Sequence, residues 1–230
     1  MAGPGGTEVE LKLRVDDLAA LMRICVAAGG APAFTAVQRN QYLDTADRAL
    51  DGGRFVLRLR EERGQGVRST FLTAKGPAVR SHDGALSTVA EEEVLLADND
   101  VLALRAQPSR ALHLLEDATD ATPARRALVA EMRTAIAGRP LGIVGGFTNE
   151  RTRLDVRFPE GFVGVLELDR TTFPGDQIHH EVEFEVPHDV DPTVATAAFR
   201  ALFARAGVEG RTAPGKAKRF FAALRGESIG

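Results

Sequence analysis

The chain alternates between stretches of strand periodicity and stretches of helical periodicity. In Thr7–Val15 charged residues fall on one face and apolar residues on the other, which predicts a strand. Asp16–Ala28 follows with apolar residues at helical spacing behind an aspartate, which predicts a capped helix ended by Gly29-Gly30. Another helix is predicted over Pro192–Ala206, because Asp191 can cap it and proline suits its first position.

Seven further strands are predicted, mostly joined by loops of hairpin length, at about 34–43, 54–62, 67–75, 87–96, 147–157, 162–170 and 178–186. Residues 98–140 carry two or three helical patterns broken at Pro108 and Pro123, which predicts a helical insertion between strands. A regular alternation of strand and helix is absent, so a parallel doubly wound sheet is not expected. The predicted fold class is α+β, mainly β, with residues 1–230 forming one domain.

Composition narrows the class of protein. The 230 residues are 44% hydrophobic and 27% charged, which permits a sizeable core. The net charge of -3 argues against bulk electrostatic capture of nucleic acid or an anionic membrane. A single cysteine, Cys25, excludes an intramolecular disulfide framework. Apolar runs fall short of the ~18–20 residues of a membrane span, and Met1–Gly6 lacks signal-peptide features. These features predict a cytoplasmic location.

The polar faces of the predicted strands are almost wholly ionic, and each strand carries mostly one sign of charge. Any single strand of this kind is typical of a sheet with one solvated face. As a set, however, like charges two residues apart repel, which predicts a ligand between them. Carboxylates suit Mg²⁺ or Mn²⁺, and arginine and lysine suit phosphate oxygens. A closed antiparallel barrel with an ionic interior would let a polyphosphate bridge a basic side to a metal on an acidic side.

These residues resemble the CYTH family, the triphosphate tunnel metalloenzymes, over about residues 7–220. Glu8-Val9-Glu10-Leu11-Lys12 matches its N-terminal Glu-x-Glu-x-Lys signature. Further motifs follow in the family's order: Tyr42-Leu43-Asp44-Thr45, Leu50, Gly53, Leu57-Arg58-Leu59-Arg60, Thr73-Ala74-Lys75-Gly76, Glu91-x-Glu93, Arg151-x-Arg153, Glu167-x-Asp169, Glu181-x-Glu183 and Pro214-Gly215-Lys216. Two positions depart from the pattern, since Gly215 stands where serine is usual and Ala90 where arginine is common.

The resemblance implies an eight-stranded antiparallel tunnel surrounded by helices, and it assigns roles to the charged residues. Its metal ligands would be Glu8, Glu10, Glu167, Asp169, Glu181 and Glu183. Its triphosphate ligands would be Lys12, Arg58, Arg60, Lys75, Arg151, Arg153 and Lys216. Glu8, Glu10 and Lys12 are the expected catalytic residues, while Glu91 and Glu93 hold either those cations or a second metal. Glu185 would lie near the tunnel mouth.

The expected function is hydrolysis of a triphosphate with Mg²⁺ or Mn²⁺, with inorganic tripolyphosphate favoured. A substrate with an organic ring would gain from an aromatic platform; the chain has no Trp and one Tyr, Tyr42, although its 12 Phe could serve. Thiamine triphosphatase and class IV adenylyl cyclase stay open, as do a non-catalytic polyphosphate-binding module and an all-β domain without a site. The expected partner is a small-molecule triphosphate, without nucleic acid or membrane, and the expected state is a monomer or homodimer.

Several charged residues lie outside these motifs. His179 and His180 are predicted at strand edges, because an oxygen-preferring metal would not select them. Arg211, Lys218 and Arg219 belong to a basic tail over Arg211–Arg225, either solvated or near the tunnel entrance.

Overall fold

The computed structural model describes residues 6–29 and 32–227, which contain nine strands and seven α-helices. The strands are β1 (Gly6–Val15), β2 (Pro32–Asp44), β3 (Val56–Gly64), β4 (Val67–Lys75), β5 (Val79–Arg80), β6 (Leu86–Leu95), β7 (Gly142–Arg157), β8 (Val163–Phe173) and β9 (Gln177–Glu185). The helices are α1 (Leu18–Ala28), α2 (Ala49–Gly52), α3 (Asp98–Ala106), α4 (Ala111–Glu116), α5 (Pro123–Ile136), α6 (Pro192–Ala206) and α7 (Lys216–Leu224), with a 3₁₀ turn at Pro108–Arg110.

Eight long strands form a closed antiparallel β-barrel with helices around it, which confirms the predicted fold class. They hydrogen-bond in the order β1-β9-β8-β7-β2-β3-β4-β6, and pairing of β1 with β6 completes the circuit. The two-residue strand β5 adds to the edge of β6, with Val79 opposite Thr88. Closing the sheet leaves its long strands without an unpaired edge.

The chain divides into two compact units, each with its own core. The first unit comprises Met1–Thr7, Gln38–Ala78 and Val89–Phe147. The second comprises Glu8–Val37, Val79–Thr88 and Thr148–Gly230. Buried residues of the first core include Leu57, Leu72, Leu104, Val129 and Met132. Those of the second include Leu11, Leu154, Leu166, Phe184 and Phe199. That residues 1–230 act as one domain stays a prediction.

Strand β1 shows how the alternating pattern folds. Leu11, Leu13 and Val15 on one face are at most 4% exposed and join the second core. On the other face, the side chains of Glu10 and Lys12 are only 12% and 16% exposed. Because both faces are largely covered, the charged face of this strand is not an ordinary solvated face.

The helix ends follow their capping residues. Asp191 caps α6, with its Oδ1 accepting a hydrogen bond of 2.7 Å from the Thr193 amide, as predicted. Helix α1 is capped by Asp17 and ends at Gly29, whose φ of 66° suits glycine. The other predicted stop residue, Gly30, lies outside the described residues. Helices α3 to α5 lie between β6 and β7, where helical patterns were predicted.

The sequence pattern missed three elements: α2, β5 and α7. Of the two alternatives for the basic tail, the solvated one is wrong for Arg219, which α7 buries together with Phe220 and Phe221. The lysine and arginine residues of this segment suggested a polar tail, although its apolar residues lie on one helical face. Among the described residues, every helix is too short or too polar to cross a membrane.

Candidate active site

The second unit contains a network of ion pairs, here called the carboxylate cluster. Its carboxylates are Glu10, Glu167, Asp169, Glu181 and Glu183. Its cations are Lys12, Arg151, Arg153, Lys216 and Arg219. Each of these residues except Arg219 was predicted from the sequence as a metal or phosphate ligand. The fold thus brings together residues of β1, β7, β8, β9 and α7.

Strand register places acids and bases opposite one another in this cluster. Arg151 on β7 lies opposite Asp169 on β8, and Lys12 on β1 lies opposite Glu183 on β9. Arg151 donates to Asp169 through Nε at 2.8 Å and Nη2 at 2.6 Å, and Nη2 also donates to Glu183 at 2.6 Å. The expectation of separate acidic and basic sides is therefore wrong here, since neighbouring strands interleave opposite charges.

Helix α7 supplies two cations one turn apart. The Lys216 ammonium lies 2.7 Å from Asp169 Oδ2 and 3.2 Å from Glu181 Oε2, and it also donates to Glu183 Oε1. Arg219 donates to Glu181 Oε2 at 2.5 Å, and its Nη1 lies 2.6 Å from His179 Nδ1. Residues three apart on a helix share a face, so α7 presents both cations to the carboxylates of β8 and β9.

Burial and ion pairing together set the protonation states of the cluster. Burial opposes ionisation of Glu183, yet Lys12, Lys216 and Arg151 hold its pKa well below the usual value. Burial likewise opposes the charge on Lys216, but Asp169, Glu181 and Glu183 raise its pKa to about 12. These carboxylates and ammonium groups therefore carry full charges at neutral pH.

One buried carboxylate oxygen of the carboxylate cluster, Glu181 Oε1, has no hydrogen-bond donor. Glu181 is fully buried, and its Oε2 accepts a hydrogen bond from Arg219 and forms an ion pair with Lys216. Its Oε1 is buried as well and accepts no hydrogen bond. A buried carboxylate oxygen without a donor is costly, and it can be satisfied by a bound cation.

The first unit contains a separate network, here called the guanidinium cluster: Arg58, Arg60, Thr73, Lys75, Glu91 and Glu93. Strands β3, β4 and β6 carry it, with Thr73 opposite both Arg58 and Glu93. Arg60 donates to both oxygens of Glu93, at 3.0 and 3.1 Å, and Lys75 lies 2.5 Å from Glu91. Of the two predicted roles for Glu91 and Glu93, these contacts favour holding the cations.

Arg58 is the least engaged cation of the guanidinium cluster. It donates to Thr73 at 3.3 Å, while its closest approach to Glu91 and Glu93 is 3.9 Å. Its Nε is buried and donates no hydrogen bond. A guanidinium with a free donor is suited to bind a phosphate oxygen.

The remaining predicted residues differ in how deeply they are buried. Glu8 is half-buried and continues the charged face of β1 beyond Glu10. Glu185 at the end of β9 is exposed. The prediction of an edge position is wrong for His179, which is 7% exposed and packs 5.2 Å from the ring of Phe173. Asn149 was not predicted as a site residue, yet its amide donates to Asp169 at 2.8 Å.

Whether the carboxylate cluster suits a metal depends on its donors. Among residues 6–29 and 32–227, no group of three His, Cys, Asp or Glu side chains is arranged to hold an ion by itself. The donors nevertheless are hard oxygens of the kind that Mg²⁺ and Mn²⁺ prefer, and Glu181 Oε1 has no hydrogen-bond donor. The chemistry of the set fits a divalent cation, which Asp169, Glu181 and Glu183, with Glu10, could hold.

Most of the chain matches one protein family. The CYTH domain model aligns with residues 6–221, and the chain therefore belongs to the CYTH family. No curated protein matches the chain.

Solved structures resemble the chain over nearly its full length. HpAC1 from Hippeastrum, an adenylyl cyclase candidate with a dominant triphosphatase activity, is 26% identical with a TM-score of 0.75, covering 96% of this chain and 97% of that one. A candidate adenylate cyclase from Bacillus halodurans is 20% identical, with a TM-score of 0.59 and coverage of 94% and 99%. PH1819 from Pyrococcus horikoshii is 19% identical, with a TM-score of 0.53 and coverage of 88% and 92%. Because the last two structures are only 20% and 19% identical to this chain, they support its fold alone.

Proposed function

We propose that this protein is a divalent-metal-dependent triphosphatase that hydrolyses inorganic tripolyphosphate to pyrophosphate and phosphate. The observation that carries the proposal is the carboxylate cluster, where buried acids and bases alternate and Glu181 Oε1 has no hydrogen-bond donor. A pure anion-binding site has no use for five carboxylates. The similarity to HpAC1, in which a triphosphatase activity dominates, supports the same reaction class.

The proposed mechanism is transfer of a phosphoryl group to water. The metal, when bound, would neutralise charge on the phosphate oxygens. Lys12, Arg151 and Lys216 would bind phosphate oxygens by charge-assisted hydrogen bonds, because arginine and lysine match these acceptors. Glu10 would accept a hydrogen bond from the attacking water and orient it. Positioning and electrostatic stabilisation are the main needs of phosphoryl transfer, so a covalent intermediate is not required.

Arg58, Arg60 and Lys75 stay predicted phosphate ligands. The support for Arg58 is its buried Nε, which donates no hydrogen bond. The support for Arg60 and Lys75 is that both are largely buried cations on neighbouring strands, 12% and 23% exposed.

An inorganic substrate is favoured by the state of the aromatic residues. Tyr42 is 2% exposed and packs 5.8 Å from the Phe147 ring, so it offers no face for a base or thiazole ring. Phe34 and Phe71 each carry a guanidinium over the ring, from Arg153 at 5.5 Å and Arg60 at 4.9 Å. One face of each ring is thus engaged by a cation.

The test is a substrate panel. Phosphate release is measured from tripolyphosphate, thiamine triphosphate and ATP, each with Mg²⁺ and with Mn²⁺. We expect the highest kcat/KM with tripolyphosphate. A higher value with thiamine triphosphate or ATP would retain the reaction class and change the substrate, whereas no phosphate release from any of them would refute the proposal.

Class IV adenylyl cyclase is the second candidate, because HpAC1 is also an adenylyl cyclase candidate. In a cyclase the ribose hydroxyl of ATP replaces water as the nucleophile, and the same ligands serve. Product analysis separates the two: a triphosphatase releases phosphate from ATP, and a cyclase releases pyrophosphate with cyclic AMP. Cyclic AMP as the main product would favour the cyclase.

A further inference from the structure

The Lys216 side chain occupies the point where three carboxylates converge. Its ammonium contacts Asp169, Glu181 and Glu183, and the Lys216 side chain is 12% exposed. Asp169 and Glu181 are fully buried, so their oxygens have little access to water. The Lys216 ammonium thus contacts the same carboxylates that a divalent cation would bind.

An ammonium group and a divalent cation cannot share these oxygens without strong repulsion. We propose that Lys216 is an internal competitor for the metal: its ammonium neutralises the carboxylates when metal is absent and must leave them when metal binds. This inference deepens the proposed function and rests on it for the identity of the metal site. The displaced ammonium is then available to a phosphate oxygen, so the exchange favours binding of metal and anion together.

The exchange requires movement of one side chain only. Lys216 is the first residue of α7 and carries its charge on a flexible four-carbon stem. Helix α7 has a second attachment, because Arg219 is 1% exposed and binds Glu181 Oε2 and His179 independently of Lys216. Glu183 also keeps Lys12 and Arg151 as partners after Lys216 withdraws.

The experiment is a calorimetric titration of the full chain with Mn²⁺ alone, without any triphosphate. The neutral variants Lys216→Met and Lys216→Gln should bind Mn²⁺ at least about tenfold more tightly than wild type, a coupling of ordinary size between two sites. Lys216→Arg keeps the charge and should bind Mn²⁺ as weakly as wild type. Lys218→Met is the matched control, because Lys218 lies exposed on the same helix, and its affinity should be unchanged.

Melting curves provide the second measurement. Mn²⁺ should raise the melting temperature of both neutral variants by more than it raises that of wild type, because tighter ligands stabilise more. Equal or weaker Mn²⁺ binding by both neutral variants would overturn the proposal, as would tighter binding by Lys216→Arg. Since no triphosphate is present, this result is independent of the substrate panel: an inactive protein can still show the competition, and an active one can lack it.

Discussion

The two ionic clusters differ in burial and in which group is left unsatisfied. The carboxylate cluster includes two fully buried acids, Asp169 and Glu181, and its unsatisfied buried atoms include an acceptor, Glu181 Oε1, beside a donor, Arg219 Nε. In the guanidinium cluster every charged side chain keeps 12–23% exposure, and its clearest surplus atom is a donor, Arg58 Nε. The first cluster is thus suited to a cation and bears on stability, whereas the second is suited to an anion.

The largest effect is expected from a single buried charge of the carboxylate cluster. Asp169→Asn removes the more deeply buried of the two carboxylates that Arg151 and Lys216 share, which should lower the free energy of unfolding by about 3–5 kcal/mol. Denaturant titration measures it. Glu150→Gln is the control, because the exposed pair of Glu150 with Arg170 should contribute below about 1 kcal/mol. Equal losses in the two variants would contradict the claim that the buried charges of the carboxylate cluster determine stability.

A change in the guanidinium cluster should affect binding more than folding. Arg58→Ala removes a charge-assisted contact and should weaken substrate binding by about 1.5–3 kcal/mol, with little change in metal binding or in the melting temperature. Steady-state kinetics with tripolyphosphate measure it as a raised KM. Arg63→Ala, at an exposed position of the same strand, should leave KM unchanged. A wild-type KM and kcat in Arg58→Ala would remove Arg58 from the phosphate ligands.

Acid should act on the carboxylate cluster first through His179. Burial, with Arg14 and Arg219 nearby, lowers the pKa of His179 to about 4. The unfolded chain therefore binds this proton first, so stability is full above pH 6.5 and falls as the pH decreases toward 4. The loss between pH 6.5 and 5 should reach up to about 2 kcal/mol. Asp169, Glu181 and Glu183, whose pKa values are lowered, lose their contribution only below about pH 4.

Melting temperatures between pH 7 and pH 5 test this order. His179→Gln should reduce the decrease seen in wild type, leaving the part due to His180, whose pKa is also lowered by burial. His188→Gln, at an exposed position, should behave as wild type. An undiminished decrease in His179→Gln would show that another group titrates.

The smallest stability change is expected for Glu10→Gln. Glu10 pairs with Lys12, which keeps Glu183 as a partner, so the free energy of unfolding should change by less than about 1 kcal/mol. Activity should nevertheless be lost, and Mn²⁺ should raise the melting temperature less than in wild type. An active variant with the wild-type metal response would exclude Glu10 from the site.

The fold was largely predictable because its signals are local. Alternation in β1 and the pair Asp191-Pro192 at the start of α6 each identify an element within a few residues. The arrangement of the site was not predictable, because it depends on the register between strands. Arg151 is 18 residues from Asp169 in the chain, and no local pattern says that the two lie opposite. For Arg219 the sequence left two alternatives, a solvated tail or a position near the tunnel entrance, because the cations of α7 obscure its apolar face.

The most direct test of the central claim is the rate of phosphate release from tripolyphosphate at buffered concentrations of free Mn²⁺. We expect no release above background in excess chelator, and recovery when Mn²⁺ is restored, since a divalent cation at the carboxylate cluster is required. Undiminished phosphate release in excess chelator would contradict it.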